Sequence, residues 1–158
     1  MTRVGIGYDS HRLVPGRPFI LGGQRIAFEK GLEGHSDADA VAHAVTDAIL
    51  GAAGAGDIGT YFPEADPKWK DFDSLVMLRM AREHINQLGY HPVQADITII
   101  CERPRLGVYK QAMAVAIAGE LGVPPDAVGI KAKTNEGMGF VGRGEGVAVF
   151  AVATVEAR

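Results

Sequence analysis

The chain has one cysteine, Cys101, among 158 residues. A lone thiol cannot close an internal disulfide and fits a reducing compartment. Positive charge is not in excess: 16 Lys and Arg stand against 19 Asp and Glu, a net charge of −3. That balance argues against a general nucleic-acid or membrane-surface binder, which carries a basic stripe. It leaves room for a small phosphorylated ligand held by a few local residues. No uncharged run approaches the roughly 18 residues of a membrane helix. The opening Met1-Thr2-Arg3-Val4-Gly5-Ile6-Gly7-Tyr8-Asp9 lacks the apolar segment of a secretory signal. A cytoplasmic location is expected. Repeats, low-complexity tracts and linkers are also missing, so residues 1–158 read as a single domain. A P-loop is excluded, because G-x-x-x-x-G-K-[ST] does not occur.

Glycine is abundant instead, at 21 residues with 8 prolines, about twice the usual glycine share but below the low-complexity range. The excess belongs to turns and to backbone that approaches a ligand closely. Arg3 to Tyr8 alternates, with Val4, Ile6 and Tyr8 on one side and Gly5, Gly7 and then Asp9 on the other, which predicts a strand. Phe19 to Phe28 predicts a hairpin around Gly22-Gly23. Ser36 is the expected N-cap of a helix that runs to about Gly54, with Asp37 and Asp39 in its first turn. A second helix opens at Asp71–Ser74 and closes at Gly89; a third covers Val108–Leu121, with Gly122 just past its end. Val93–Cys101 reads as a central strand, mostly apolar on both faces, and Val128–Ala132 and Gly146–Val155 as two more. This order predicts an α+β two-layer sandwich, a mixed β-sheet covered by helices on one face. The other face, carrying Ile and Val, would need a partner, and oligomerisation is the simple way to cover it.

Asp9 and His11 share a strand face with Gly5 and Gly7, where small residues leave room beside two possible metal ligands. The spacing suits an exposed strand end equally well. His43 lies in a polar helix row with Asp39 and Asp47, opposite an apolar stripe of Val41, Val45, Ala48, Ile49 and Ala52. That row is either a solvated face or a histidine oriented by flanking carboxylates. Together, Asp9, His11 and His43 would make an N,N,O set with an open fourth position, as in catalytic zinc sites. His35 stands just before the helix, where an anion is favoured, or is a loop residue without a role. His84 and His91 read as surface residues.

Gly54–Gly59 and Gly137–Gly142 both match G-x-G-x-x-G, but neither lies between a strand and a helix as a dinucleotide site requires. The run from Lys131 through Lys133, Thr134, Asn135 and Glu136 into five glycines, with Arg143 and Glu145 between them, suits a phosphate with its divalent ion. A merely flexible hairpin is the alternative.

In order along the chain stand Asp9-Ser10-His11, Gly34-His35-Ser36-Asp37-Ala38-Asp39, His43, Gly56-Asp57-Ile58-Gly59, Phe62-Pro63-Glu64-Ala65-Asp66 and Gly142-Arg143-Gly144-Glu145-Gly146. Taken together, from about Val4 to Val152, they resemble the 2-C-methyl-D-erythritol 2,4-cyclodiphosphate synthase family. The resemblance implies an enzyme, a phosphorus–oxygen lyase of non-mevalonate isoprenoid synthesis. It closes 4-diphosphocytidyl-2-C-methyl-D-erythritol 2-phosphate into a cyclic diphosphate and releases CMP. It also implies a homotrimer with active sites between subunits. Zn²⁺, or another divalent transition metal, would sit on Asp9, His11 and His43, and Glu136 would help hold Mg²⁺ or Mn²⁺ on the diphosphate. His35 and Thr134 would stabilise the transition state. Asp57 and Gly59 would touch the erythritol part, and Asp9, His11, His35, Ser36, Phe62, Pro63, Glu64, Ala65 and Asp66 are further expected substrate contacts. Cys101, Glu102, Arg103, Pro104, Arg105, Leu106 and Gly107, with Lys133, Thr134, Asn135 and Glu136, would hold the cytidine diphosphate part. Phe140 and Arg143 complete the set. Glu64 replaces a common Asp and Arg105 a common Lys, keeping charge in both cases; Lys133 and Gly137 also depart from the family's usual residues. A non-catalytic trimer that binds a phosphorylated isoprenoid or nucleotide, and a hydrolase using zinc-bound water, are the competing classes.

Overall fold

The first and last strands of the chain are neighbours. In the computed structural model, which describes residues 1–158, β1 (Thr2–Val14) pairs antiparallel with the final strand from Arg12↔Gly146 to Thr2↔Glu156. Between them lie β2 (Ile20–Leu21), β3 (Gln24–Arg25), β4 (Gly31–Leu32), α1 (Ala40–Ala52), α2 (Ile58–Tyr61), α3 (Ser74–Gln87), β5 (Tyr90–Ile100), α4 (Lys110–Leu121), β6 (Val128–Lys133) and α5 (Gly139–Gly142), before β7 (Gly146–Ala157). The five-stranded sheet runs β4-β1-β7-β5-β6, with only β5 and β6 parallel, and β2 and β3 form the separate hairpin. It is therefore a mixed sheet in an α+β fold, as expected. No helix is long and apolar enough to cross a membrane.

The helices cover one face. Ala95, Ile97 and Ile99 of β5 and Val147, Val149, Ala151, Ala153 and Val155 of β7 are buried there, against α1, α3 and α4. Burying one such branched side chain stabilises by roughly 1.5–3 kcal/mol. On the other face Val4 and Ile6 remain 65% and 68% exposed, and Tyr8 stacks on Phe150 at 5.0 Å between ring centroids. An apolar sheet face without cover is the feature expected from sequence. The reading of β5 as mostly apolar on both faces is corrected: Gln94 and Asp96 are exposed on the open side, so the strand alternates.

Glycine sets the spacing between α1 and β1. A Cβ at Gly7 would overlap the carbonyl oxygen of Ala44 and stand 3.0 Å from the Ala48 nitrogen; one at Gly5 would overlap the carbonyl of Ala48. The helix backbone thus rests directly on the strand backbone. The room expected beside Asp9 and His11 is filled by α1. That same contact delivers His43 to them.

The cap of α1 is Asp39, and Ser36 is not: Ala38 adopts a positive φ of 61° and breaks the helix before it can start at Ser36. Asp39 is fully buried. Its Oδ1 accepts from the backbone nitrogens of Ala42 (3.0 Å) and Gly22 (2.9 Å), and its Oδ2 from Gly23 (2.7 Å). Gly22 and Gly23 have φ of 57° and 73°, as a two-residue hairpin turn requires. One carboxylate therefore pins the hairpin to the helix. Burial pushes its pKa up to about 6, the N–H donors from Ala42 and Gly23 pull it down, and the nearby Asp37 charge raises it again. Asp39→Ala strands three N–H groups and should cost about 2–4 kcal/mol in urea denaturation. A loss below about 1 kcal/mol, the scale of a simple cap, would show that the hairpin is not tied through this side chain.

Three further differences are local. β5 starts at Tyr90, with a bulge between Pro92 and Gln94. Gly107–Tyr109 forms a 3-10 turn ahead of α4. The glycine-rich loop contains the short α5. Gly122, with φ of 73°, ends α4 as expected.

Candidate active site

Asp9 and His11 project from β1 toward α1, which carries His43. Asp9 Oδ2 lies 2.7 Å from His11 Nε2 and 3.1 Å from His43 Nδ1, and the two imidazole nitrogens are 3.4 Å apart. The three ligand atoms fall within 4.8 Å of one another, and no other group of three or more His, Cys, Asp or Glu does so. His11 Nδ1 is 2.8 Å from the Glu33 carbonyl, an acceptor, so Nδ1 carries a proton and Nε2 is the nitrogen turned to Asp9 and His43. Burial raises the Asp9 pKa, but hydrogen bonds and charge from His11 and His43 outweigh it and leave the carboxyl below 3.8. Burial lowers His11, and Asp9 with the Glu33 carbonyl reverses this, leaving it above 6.5. The donor set fits a divalent transition ion: two imidazole nitrogens and a carboxylate oxygen converge on one point.

The carboxylates expected to orient His43 do other work. Asp39 caps α1, and Asp47 accepts from the Ile58 nitrogen at 2.7 Å. Instead His43 Nε2 faces the hydroxyls of Ser74 (2.8 Å) and Ser36 (3.1 Å). Ser74 was not legible as a site residue: it lies 31 positions away and looks like any helix-start serine.

A cavity of about 240 Å³ opens on this cluster, lined by Asp9, His11, His35, Ser36, His43, Gly59, Phe62 and Glu64, with Ile58, Trp69 and Met77 behind. His35 Nε2 donates to the Asp66 carbonyl at 3.0 Å, which leaves Nδ1 free as an acceptor. Asp66 also caps the 3-10 turn Pro67–Trp69, and Asp57 caps α2. Asp57, Pro63, Ala65 and Asp66 thus frame the cavity without lining it. Ser36 is buried, with its hydroxyl turned toward His43 and Ala38. His84 and His91 are half-buried, not surface residues; His84 stacks on Tyr61 at 4.7 Å.

The second cavity, about 970 Å³, sits at the ends of the parallel strands β5 and β6. Cys101 to Gly107 and Lys133–Thr134 line it, together with Phe28, Val108, Lys110 and Ala132. Four cations, Arg103, Arg105, Lys110 and Lys133, face it with one carboxylate, Glu102. Both oxygens of Glu102 accept from the loop that follows β6, Oε2 from the Asn135 nitrogen at 2.9 Å and Oε1 from the Gly137 nitrogen at 3.0 Å. Burial raises the Cys101 thiol to about 11, a backbone hydrogen bond with Arg103 eases this, and the Glu102 charge adds to it. Glu136 is exposed and outside the metal cluster. Phe140 lines a separate recess beside His11, and Arg143, paired with Glu145, lines another with Arg103. Lys110 and Phe28 were missed: Lys110 reads as an ordinary helix lysine, and Phe28 reaches the cavity only through the tertiary fold. The two main cavities share no residue.

Residues 2–156 match the model of the YgbB family. The chain belongs to that family. Curated members share about half of its residues. The 2-C-methyl-D-erythritol 2,4-cyclodiphosphate synthase of Symbiobacterium thermophilum is 56% identical over 155 residues, covering 98% of this chain and 99% of that protein. The synthase of Salinibacter ruber is 53% identical over 98% of each. Among solved structures, the bifunctional IspDF from Campylobacter jejuni superposes with a TM-score of 0.96 at 39% identity, covering 100% of this chain and 43% of that one. The IspF of Plasmodium falciparum in its CDP complex gives 0.87 at 30% identity, over 99% and 97%. These relatives carry the names of enzymes, and the Asp9–His11–His43 cluster fits the metal site expected of this chain.

Proposed function

We propose that this chain converts 4-diphosphocytidyl-2-C-methyl-D-erythritol 2-phosphate to the 2,4-cyclodiphosphate and releases CMP. The supporting observation is the convergence of Asp9, His11 and His43 on one cavity, in a chain 56% identical to a named synthase. Those three residues would hold Zn²⁺ or a similar ion. Glu136, an exposed hard oxygen donor, would hold Mg²⁺ or Mn²⁺, which bring most of their ligands as water and phosphate. Bound there, such ions act as Lewis acids that neutralise phosphoryl oxygens. Arg103, Arg105, Lys110 and Lys133 gather the diphosphate, and the Cys101–Gly107 backbone faces the base. Thr134 through its hydroxyl, and His35 through Nδ1 as an imidazolium, would donate to charge that develops on the phosphoryl group. The attacking phosphate monoester has a second pKa near 6 and is largely dianionic at pH 7, so no protein base is required. Positioning and charge neutralisation supply the rate.

Product analysis tests this. With the diphosphocytidyl substrate and divalent ions, CMP and a cyclic diphosphate are expected. A linear phosphate would mark a hydrolase, and no turnover a binder.

The separation of the two cavities supports a site shared between copies in a homotrimer, and the open apolar sheet face offers surface for assembly. Neither half-site is complete alone. Mixing Asp9→Asn and Thr134→Ala proteins, each with lowered turnover, should restore part of the activity after subunit exchange. No recovery, with exchange verified by labelled subunits, would place both halves in one chain.

A further inference from the structure

His43 has two ring nitrogens, and only one can serve a metal. Which one is free depends on where a single proton sits, and the residues behind the ring settle that. Asp37 is an acceptor at both oxygens. Its Oδ2 accepts from the Ser74 backbone nitrogen at 3.1 Å; its Oδ1 accepts from the Asp39 nitrogen at 3.1 Å and from the Ser74 hydroxyl. A serine hydroxyl has one proton, and Ser74 gives it to Asp37. Toward His43 Nε2, 2.8 Å away, Ser74 can therefore only accept.

We propose that Asp37 and Ser74 are the positioning residues of the metal centre. Together they hold His43 as the Nε2–H tautomer, so that the Nδ1 lone pair points at Asp9 and His11. The inference rests on the metal reading given above. At Nδ1 the Asp9 carboxylate, 3.1 Å away, competes for a proton until a cation takes that place; at Nε2 the opposite tautomer would set the Ser74 oxygen and Nε2 lone pair against lone pair at 2.8 Å, and Ser74 is fully buried, so water cannot relieve the clash. Ser36, also near Nε2, accepts from the Ala38 nitrogen and has Ser74 Oγ at 3.4 Å for its own proton. The pair is held in place by the chain: the Asp37 nitrogen donates to the Phe72 carbonyl and the Asp71 nitrogen to the His35 carbonyl. His11 is treated in the same way from its own side, by the Glu33 carbonyl. Each imidazole is thus fixed by an outward acceptor that turns its free nitrogen inward.

The test uses full-length protein with ¹⁵N-labelled histidine, loaded with zinc, at a pH above the imidazole range. Nitrogen shifts should show His43 protonated at Nε2. Ser74→Ala should mix the tautomers and weaken zinc, read by chelator competition, by about 10–100-fold. Asp37→Asn should do more. Its amide would donate to Ser74, free the hydroxyl proton for Nε2 and invert the tautomer. Thermal melts check that each variant is folded. A wild-type His43 protonated at Nδ1, or folded Ser74→Ala protein that binds zinc as tightly as wild type, would overturn the proposal. If wild-type protein takes no zinc at all, the metal reading falls and this proposal with it, whereas a Ser74→Ala protein that keeps wild-type zinc affinity overturns the proposal alone.

Discussion

Exchanging His43 for alanine should abolish turnover and leave the chain folded. Lewis-acid neutralisation of phosphoryl oxygens is worth several kcal/mol, and each 1.4 kcal/mol is tenfold in rate, so a loss of about 10³-fold or more in kcat/KM is expected. Asp9→Asn and His11→Ala should match it, because the three side chains meet at a single point. Elemental analysis should show zinc lost in parallel. His35→Ala and Thr134→Ala should behave differently, with kcat falling more than KM rises, since their contribution is assigned to the transition state. Acidity gives a second handle. Asp9 raises the His11 pKa above 6.5, so protons begin to compete for Nε2 above that pH. Zinc affinity should weaken as pH falls through that range and recover above it. Folded protein stripped of metal, with full turnover, would refute the mechanism.

Gly7→Ala should be nearly as damaging, and it touches no site residue. The new methyl would overlap the Ala44 carbonyl on the facing helix, where the obstacle is backbone and cannot rotate away. Overpacking usually costs 1–3 kcal/mol and more where nothing can yield; here about 3–5 kcal/mol is expected, against a total stability of about 5–15 kcal/mol. Any protein that remains folded must carry α1 further from β1, so His43 should retreat from Asp9 and zinc should bind less tightly. Gly51→Ala is the control. It lies on the same helix with open space around it, and gaining a better helix former should stabilise by about 0.5–1 kcal/mol. Urea denaturation with zinc titration reads both variants. A Gly7→Ala protein as stable as wild type would mean that other contacts set the helix spacing.

Much of this was readable from residue order. The alternation of β1, the Gly22-Gly23 turn, the Gly122 stop and the uncovered Ile and Val face all follow from local chemistry, as does the pairing of Asp9 and His11 on one strand face. What escaped depends on contacts between distant segments. Ser36 and Asp39 are equally good capping residues by type; the positive φ at Ala38 and the hairpin N–H groups choose Asp39. Asp39 and Asp47 share a helical row with His43, yet each is claimed by a backbone nitrogen outside α1. Gly5 and Gly7 read as empty space because a sequence does not show which backbone will fill it.

The register Thr2↔Glu156 also constrains how the molecule comes into being. β7 is the last strand made, yet it lies between β1 and β5 in the sheet. Until it emerges from the ribosome, β1 has only the two-residue β4 for company and β5 only β6. The nascent chain therefore carries two unpaired strand edges throughout synthesis, of the kind that invite aggregation. Sequence-distant pairing of this sort also slows folding, because loop closure must precede the contacts that reward it. The first strand has to wait for the last.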